Sequence, residues 1–258
     1  MPSKIEWTQE TWNPVVGCRP VSEGCENCYA KRMANRLAWM GSDKYRPVVR
    51  QDGKRIEWTG KVNLASEDKF SHLHRWRKPR VVFVCSMGDL FYEEVPIRWQ
   101  QGIWEMMHCY RRHRYIVLTK RSRAMADFLC SHSGFAKDMA HVWWGFTAEN
   151  QEWFDRRWDD VRGMPVANRI LSCEPLLGPV VLPDDFLAFG KNIGVICGGE
   201  TGPGARRLKL NWVRDVRDQC LSAGVPFFLK RLGWTKDKQV DRILDGHEHN
   251  ELPWVMKG

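Results

Sequence analysis

Three cysteines crowd one short stretch near the N-terminus: Cys18, Cys25 and Cys28, in a C-x6-C-x2-C spacing. Thiolates are soft metal ligands, and an odd set suits a metal better than a disulfide, which would leave one cysteine over. Three protein ligands also leave a coordination position open. An open position is where chemistry takes place, whereas a closed four-ligand site usually holds a fold together. Gly17 and Gly24 stand immediately before two of the cysteines and are expected to allow tight turns there. Three readings stay open: an iron–sulfur cube with one iron not held by cysteine, a structural zinc completed by a residue such as His72 or His74, or no metal.

The remaining cysteines sit in other settings. Cys109, Cys130 and Cys220 fall on helical patterns, where a small buried hydrophobe is the default. Cys85, Cys173 and Cys197 close apolar runs next to polar residues. They are expected either as core thiols or as hydrogen donors or acids in a site.

Positioning such a site needs a scaffold, and the chain has the material for one. It carries 258 residues, 43% of them hydrophobic, enough for a sizeable core in a single domain spanning 1–258. No stretch approaches the roughly 20 apolar residues of a membrane span. The first residues lack the apolar segment of a signal peptide, so the chain is read as cytoplasmic, with reduced thiols. A net charge of +9 favours a polyanionic partner, nucleic acid or a nucleotide. Of the fourteen tryptophans, some are expected to offer a stacking surface for bases and most to be core.

Tyr29 to Met40 has helical spacing, with Lys31, Arg32 and Arg36 on its exposed face. Residues 41–80 are expected as a loop-rich insertion, ending in the basic run that contains Arg75, Arg77, Lys78 and Arg80. These cations and those of the helix flank the cysteines in sequence and are the candidate contacts for nucleic acid.

From residue 81 onward, short apolar runs alternate with amphipathic stretches. The runs are Val81–Cys85, Tyr115–Leu118, His141–Phe146, Arg169–Cys173, Ile193–Cys197 and Pro226–Leu229. This alternation predicts an α/β fold, a partial or full (β/α) barrel of about six to seven parallel strands, with the cysteine loop after the first strand. Each run ends in a polar tail: Ser86-Met87-Gly88-Asp89, Thr119-Lys120-Arg121, Thr147-Ala148-Glu149-Asn150, Glu174-Pro175, Gly198-Gly199-Glu200 and Lys230-Arg231. In a parallel barrel these tails meet at the C-terminal face, where such folds carry their sites.

Trp12-Asn13-Pro14, Cys25-Glu26-Asn27-Cys28-Tyr29-Ala30, Ser86-Met87-Gly88-Asp89-Leu90-Phe91, Leu118-Thr119-Lys120-Arg121, Ser172-Cys173-Glu174-Pro175 and Gly198-Gly199-Glu200-Thr201-Gly202 together resemble a radical-SAM-like family of bacteriophages and prophages, within the radical S-adenosylmethionine (SAM) superfamily. The resemblance runs over nearly the whole chain. It implies a [4Fe-4S] cluster on Cys18, Cys25 and Cys28, SAM as cosubstrate, and release of a 5′-deoxyadenosyl radical that abstracts hydrogen from a substrate. It also implies an external electron donor such as a flavodoxin or ferredoxin. Ser86, Asp89, Lys120, Glu174, Gly198, Gly199 and Glu200 become candidates for binding SAM, with Ser86 and Asp89 near its amino group and Glu174 or Glu200 on a ribose hydroxyl. Cys85, Cys173, Cys197 and Lys230 become candidates for catalysis. Two features depart from the superfamily pattern. The first gap is six residues rather than three, and Asn27, not an aromatic residue, precedes the last cysteine, with Tyr29 following it.

The expected function is modification or repair of a nucleic acid or nucleobase. Two alternatives remain: a zinc-stabilised nucleic-acid-binding protein without catalysis, and a radical SAM enzyme acting on a small metabolite or peptide.

Overall fold

A computed structural model describes residues 5–65, 71–233 and 240–255. Its centre is a curled sheet of seven parallel strands, a half-barrel. In chain order these are β1 (Glu10–Trp12), β2 (Val81–Val84), β3 (Arg114–Thr119), β4 (Val142–Thr147), β5 (Asn168–Cys173), β6 (Ile193–Gly198) and β7 (Phe227–Arg231). Spatial order equals sequence order, and every neighbouring pair is parallel. The main helices are α1 (Tyr29–Trp39), α2 (Ile97–Cys109), α3 (Ser122–Ser131), α4 (Gln151–Val161) and α5 (Leu210–Ser222). Elements expected from periodicity lie within a residue or two of these bounds.

Side chains alternate across a strand, and that alternation divides the sheet into two faces. Val82, Tyr115, Trp144, Phe146, Leu171 and Val195 point outward into the main core. Val81, Phe83, Ile116, Trp143, Ile170, Ile196 and Phe228 point inward with Trp7 and Trp254. Trp254 is fully buried, donates its Nε1 to the Trp7 carbonyl at 3.0 Å and meets Trp143 edge-on at 5.4 Å. Gly194 makes room for it, since a Cβ there would come within 2.6 Å of the indole. Residues 249–251 run antiparallel beside β7, and a Glu6–Arg231 ion pair links the start of the chain to the end of β7.

The stretch expected as a loop-rich insertion has more order than its composition suggests. Val49–Asp52 and Arg55–Trp58 form a hairpin, and Asn63–Leu64 pairs with Val15–Val16. Tyr45, Val48, Val49 and Trp58 build a second small core with Ala30 and Ala34 of α1, Val16 and Met87. The physical reason is that a few large apolar residues spaced among charges suffice to anchor a hairpin on a helix, without a periodic pattern. Residues 66–70 of this stretch lie outside the described residues. Among the described residues, no helix is long and apolar enough to cross a membrane.

Candidate metal centre

The strands deliver their polar tails to one place. A cavity of about 400 Å³ sits at the C-terminal ends of the sheet, and Cys18, Cys25 and Cys28 all line it. Ser86, Asp89, Lys120, Glu174, Gly199, Glu200 and Lys230 line the same cavity, together with Cys85. Its inner wall continues the inward face of the half-barrel through Trp7, Phe83 and Leu118.

Parity decides which strand-end residues reach it. On β5 the inward positions are Ile170, Ser172 and then Glu174, so Cys173 faces the outer core and is completely buried there. On β6 the inward positions are Ile196, Gly198 and Glu200, which sends Cys197 outward in the same way. Burial pushes both thiols well above their ordinary range. Of the two readings open for them, core thiol holds, and the reading as site residues is corrected. Cys85 lies just past the end of β2 in a left-handed turn at φ 56°, packs in the main core with Cys173 and Cys197, and also borders the cavity. Burial pushes its thiol up to about 12, so it stays a protonated S–H.

The cysteine loop is moored to the barrel by side chains. Glu149 is its central anchor and was seen in the sequence only as part of a strand tail. It is completely buried, pairs with Lys120, accepts from Ser22 Oγ at 2.6 Å and pairs with Arg157 at 2.8 Å. Burial opposes its ionisation, yet Lys120 and Arg157 outweigh that cost and hold the carboxyl below the usual range. Gly24 packs on it: a Cβ at Gly24 would lie 2.6 Å from Glu149. This glycine thus serves close approach, while Gly17, at φ 102°, is the one that needs the left-handed turn.

A second mooring is Glu200. It accepts from Asn27 Nδ2 at 2.9 Å and forms a forked pair with Arg206, whose guanidinium also donates to the Glu23 carbonyl at 2.7 Å. The Asn27 bond explains why a polar residue precedes the last cysteine. Tyr29, on the other side, donates to the Ser86 carbonyl at 2.8 Å. Gly202 and Gly204 shape a turn that receives Arg32 on the Thr201 and Pro203 carbonyls and Asn27 on the Gly204 carbonyl. Gly199 packs against the backbone of Leu232, 2.4 Å from a notional Cβ, and Gly198 is not among the lining residues.

Asp89 is the third. Its Oδ1 accepts from Thr119 Oγ1 at 2.6 Å and Phe91 N at 3.0 Å; its Oδ2 accepts from Lys120 N at 3.2 Å and Arg121 Nη1 at 3.1 Å. With four donors in place it organises the protein and has little left for a ligand's ammonium. What it organises is Arg121, whose Nη1 lies 3.7 Å from Cys18 Sγ and whose Nη2 donates to the Arg19 carbonyl at 3.0 Å. The Tyr92 ring lies 4.4 Å from this guanidinium. In the sequence Arg121 is one residue of the strand tail Thr119-Lys120-Arg121, with no role of its own.

Three soft sulfur donors line one cavity, the donor type that a metal or a cluster takes. Burial, with help from Asp89, pushes the Cys18 thiol up to about 12 against the pull of Arg121. Burial also raises Cys28, with Cys25 adding to it. Half-buried thiols such as these become thiolates when metal coordination removes their protons. Among the described residues, no group of three or more His, Cys, Asp or Glu is arranged to hold a metal ion.

The basic run before β2 is not part of this site. Arg75, Arg77, Lys78 and Arg80 lead into the N-terminal end of Val81–Val84, whereas the cavity lies beyond the strand's C-terminal end. The expectation that they join Lys31, Arg32 and Arg36 in one patch is corrected: the run enters β2 at its N-terminal end, whereas α1 follows the cysteine loop at the opposite, C-terminal end of the sheet.

The chain belongs to DUF5131, a family of proteins of unknown function. The family model matches residues 2–253, so it takes in the cysteine loop, every strand of the half-barrel and the buried anchors alike. No curated protein matches the chain significantly. Nor does any solved structure.

Proposed function

We propose that this DUF5131 chain is a radical SAM enzyme that holds a [4Fe-4S] cluster on Cys18, Cys25 and Cys28. The observation that carries this reading is their presence on one cavity with the tails of a parallel half-barrel. When bound, the cluster and SAM would supply a 5′-deoxyadenosyl radical. The chain's own residues do the rest. Trp7, Phe83 and Leu118 give the cavity an apolar wall that keeps water from the reacting atoms. Glu174 and Lys230 form a 2.7 Å ion pair on that wall. Glu174 Oε2 accepts from Ser172 at 3.3 Å and has capacity for a ligand hydroxyl, and Lys230 has ammonium protons to offer a carboxylate or phosphate. Cys85 keeps an S–H at the cavity as a hydrogen donor. An external one-electron donor completes the requirement, and nucleic acid is the proposed substrate class. Anaerobic purification followed by iron and acid-labile sulfide analysis tests the reading. Stoichiometric iron and sulfide are expected, and protein that stays colourless after reconstitution rejects it.

Arg121 provides a finer test. A guanidinium beside a ligating sulfur stabilises the more negative, reduced form of a cluster. Arg121→Gln is expected to lower the cluster's reduction potential, and Arg121→Lys to lower it less. A redox titration followed by electron paramagnetic resonance reads this directly; an unchanged potential in Arg121→Gln would separate the guanidinium from the cluster.

A further inference from the structure

Helix α1 packs against the hairpin of Val49–Asp52 and Arg55–Trp58, and a hollow lies on each side of the hairpin tip. One is a groove of about 960 Å³ that opens onto Cys25 and Cys28 and carries Arg19, Lys31, Lys54 and Arg55. The other gathers Trp39, Arg46 and Arg50. Gly53 lines this second hollow and its neighbour Lys54 lines the groove, so the two meet at the tip.

Trp39 is the informative residue. Among the described tryptophans it alone is exposed, at 80%, while Trp7, Trp12, Trp143, Trp144 and Trp254 are core. An indole left in water beside guanidiniums is a stacking platform with phosphate contacts at its edge. The local acids do not cancel the cations. Glu57 is matched by both Arg50 and Arg55 at 2.8 Å, and Arg46 pairs with Asp43 on the surface, where such a pair opens at little cost.

We infer that the two hollows form one track for single-stranded nucleic acid, with a base on Trp39 and the strand led past Lys54 and Lys31 to the cysteine cavity. An unpaired strand is required, because duplex bases already stack on their neighbours and cannot lie on an indole. The inference rests on the proposed function only in making this strand the substrate; binding itself needs no cluster.

Fluorescence anisotropy of labelled single-stranded and duplex DNA and RNA, titrated with the full chain at several salt concentrations, tests it. Single strands are expected to bind more tightly than duplex, with affinity falling as salt rises. Trp39→Ala should weaken binding about tenfold or more and leave the salt slope unchanged, while Trp39→Phe keeps most of the affinity. Arg46→Gln with Arg50→Gln should flatten the logarithmic salt slope by about 1.4. Arg75→Gln with Arg77→Gln, at the other end of the barrel, should change neither. Wild-type binding by the Trp39 and Arg46/Arg50 variants would overturn the inference. So would equal affinity for duplex, or no binding to any oligonucleotide while an acidic electron-carrier protein binds here. Iron content measured on the same samples separates the two claims. Strand binding by protein that takes up no cluster rejects only the proposed function, and a loaded cluster without strand binding rejects only the track.

Discussion

Glu149→Ala is expected to destabilise the protein by about 3–5 kcal/mol, because it leaves Lys120 and Arg157 facing each other without the buried carboxylate between them. Arg157 is 1% exposed and Lys120 17% exposed, so little water reaches either cation to compensate. The cysteine loop should loosen at the same time, since Ser22 and Gly24 both rest on Glu149. The pH dependence follows from the direction of its shift. A carboxyl held below its ordinary value of 4.5 contributes its full stabilisation above that value and loses it as pH falls through the lower, folded value. Denaturant unfolding of wild type and Glu149→Ala across the acid range checks both points: the gap should be widest near neutral pH and narrow toward acid. A variant as stable as wild type at neutral pH would show that the triad bears no load.

Replacing Cys18, Cys25 and Cys28 together by alanine is expected to reduce bound iron to background and abolish the visible chromophore. The fold should survive. The moorings of the loop are Glu149, Glu200 with Arg206, and Arg121 on the Arg19 carbonyl, and these need no sulfur. Circular dichroism of the triple variant should therefore match that of metal-free wild type. Cys109→Ala and Cys130→Ala, both at exposed thiols, should keep wild-type iron. Iron retained in full by the triple variant would place the metal elsewhere.

The half-barrel was legible because a parallel sheet covered by helices writes itself as apolar runs separated by amphipathic stretches, and because polar residues follow each run. The convergence of Ser86, Lys120, Glu174, Glu200 and Lys230 on one cavity follows from that pattern alone. Counting parity along each run would also have removed Cys173 and Cys197, since Ile170 and Ile196 fix the inward face. Other features needed three dimensions. Nothing local tells that Glu149 and Glu200 face inward to protein partners rather than a ligand, because Arg157 and Arg206 reach them from the following helix and loop. The hairpin at Val49–Trp58 has too few apolar residues to show a period, and only α1 gives it a surface to pack on. The Arg75–Arg80 run looked close to the cysteines because sequence order hides which end of a strand a residue occupies.

The open position of a three-cysteine cluster is expected to act on SAM, and product analysis after anaerobic reduction reads this out. Cluster-loaded protein, SAM, dithionite and single-stranded oligonucleotides should yield 5′-deoxyadenosine and methionine, and the triple-alanine variant should yield neither. Loaded protein that binds the oligonucleotide and still produces no 5′-deoxyadenosine would rule out radical SAM chemistry at this site.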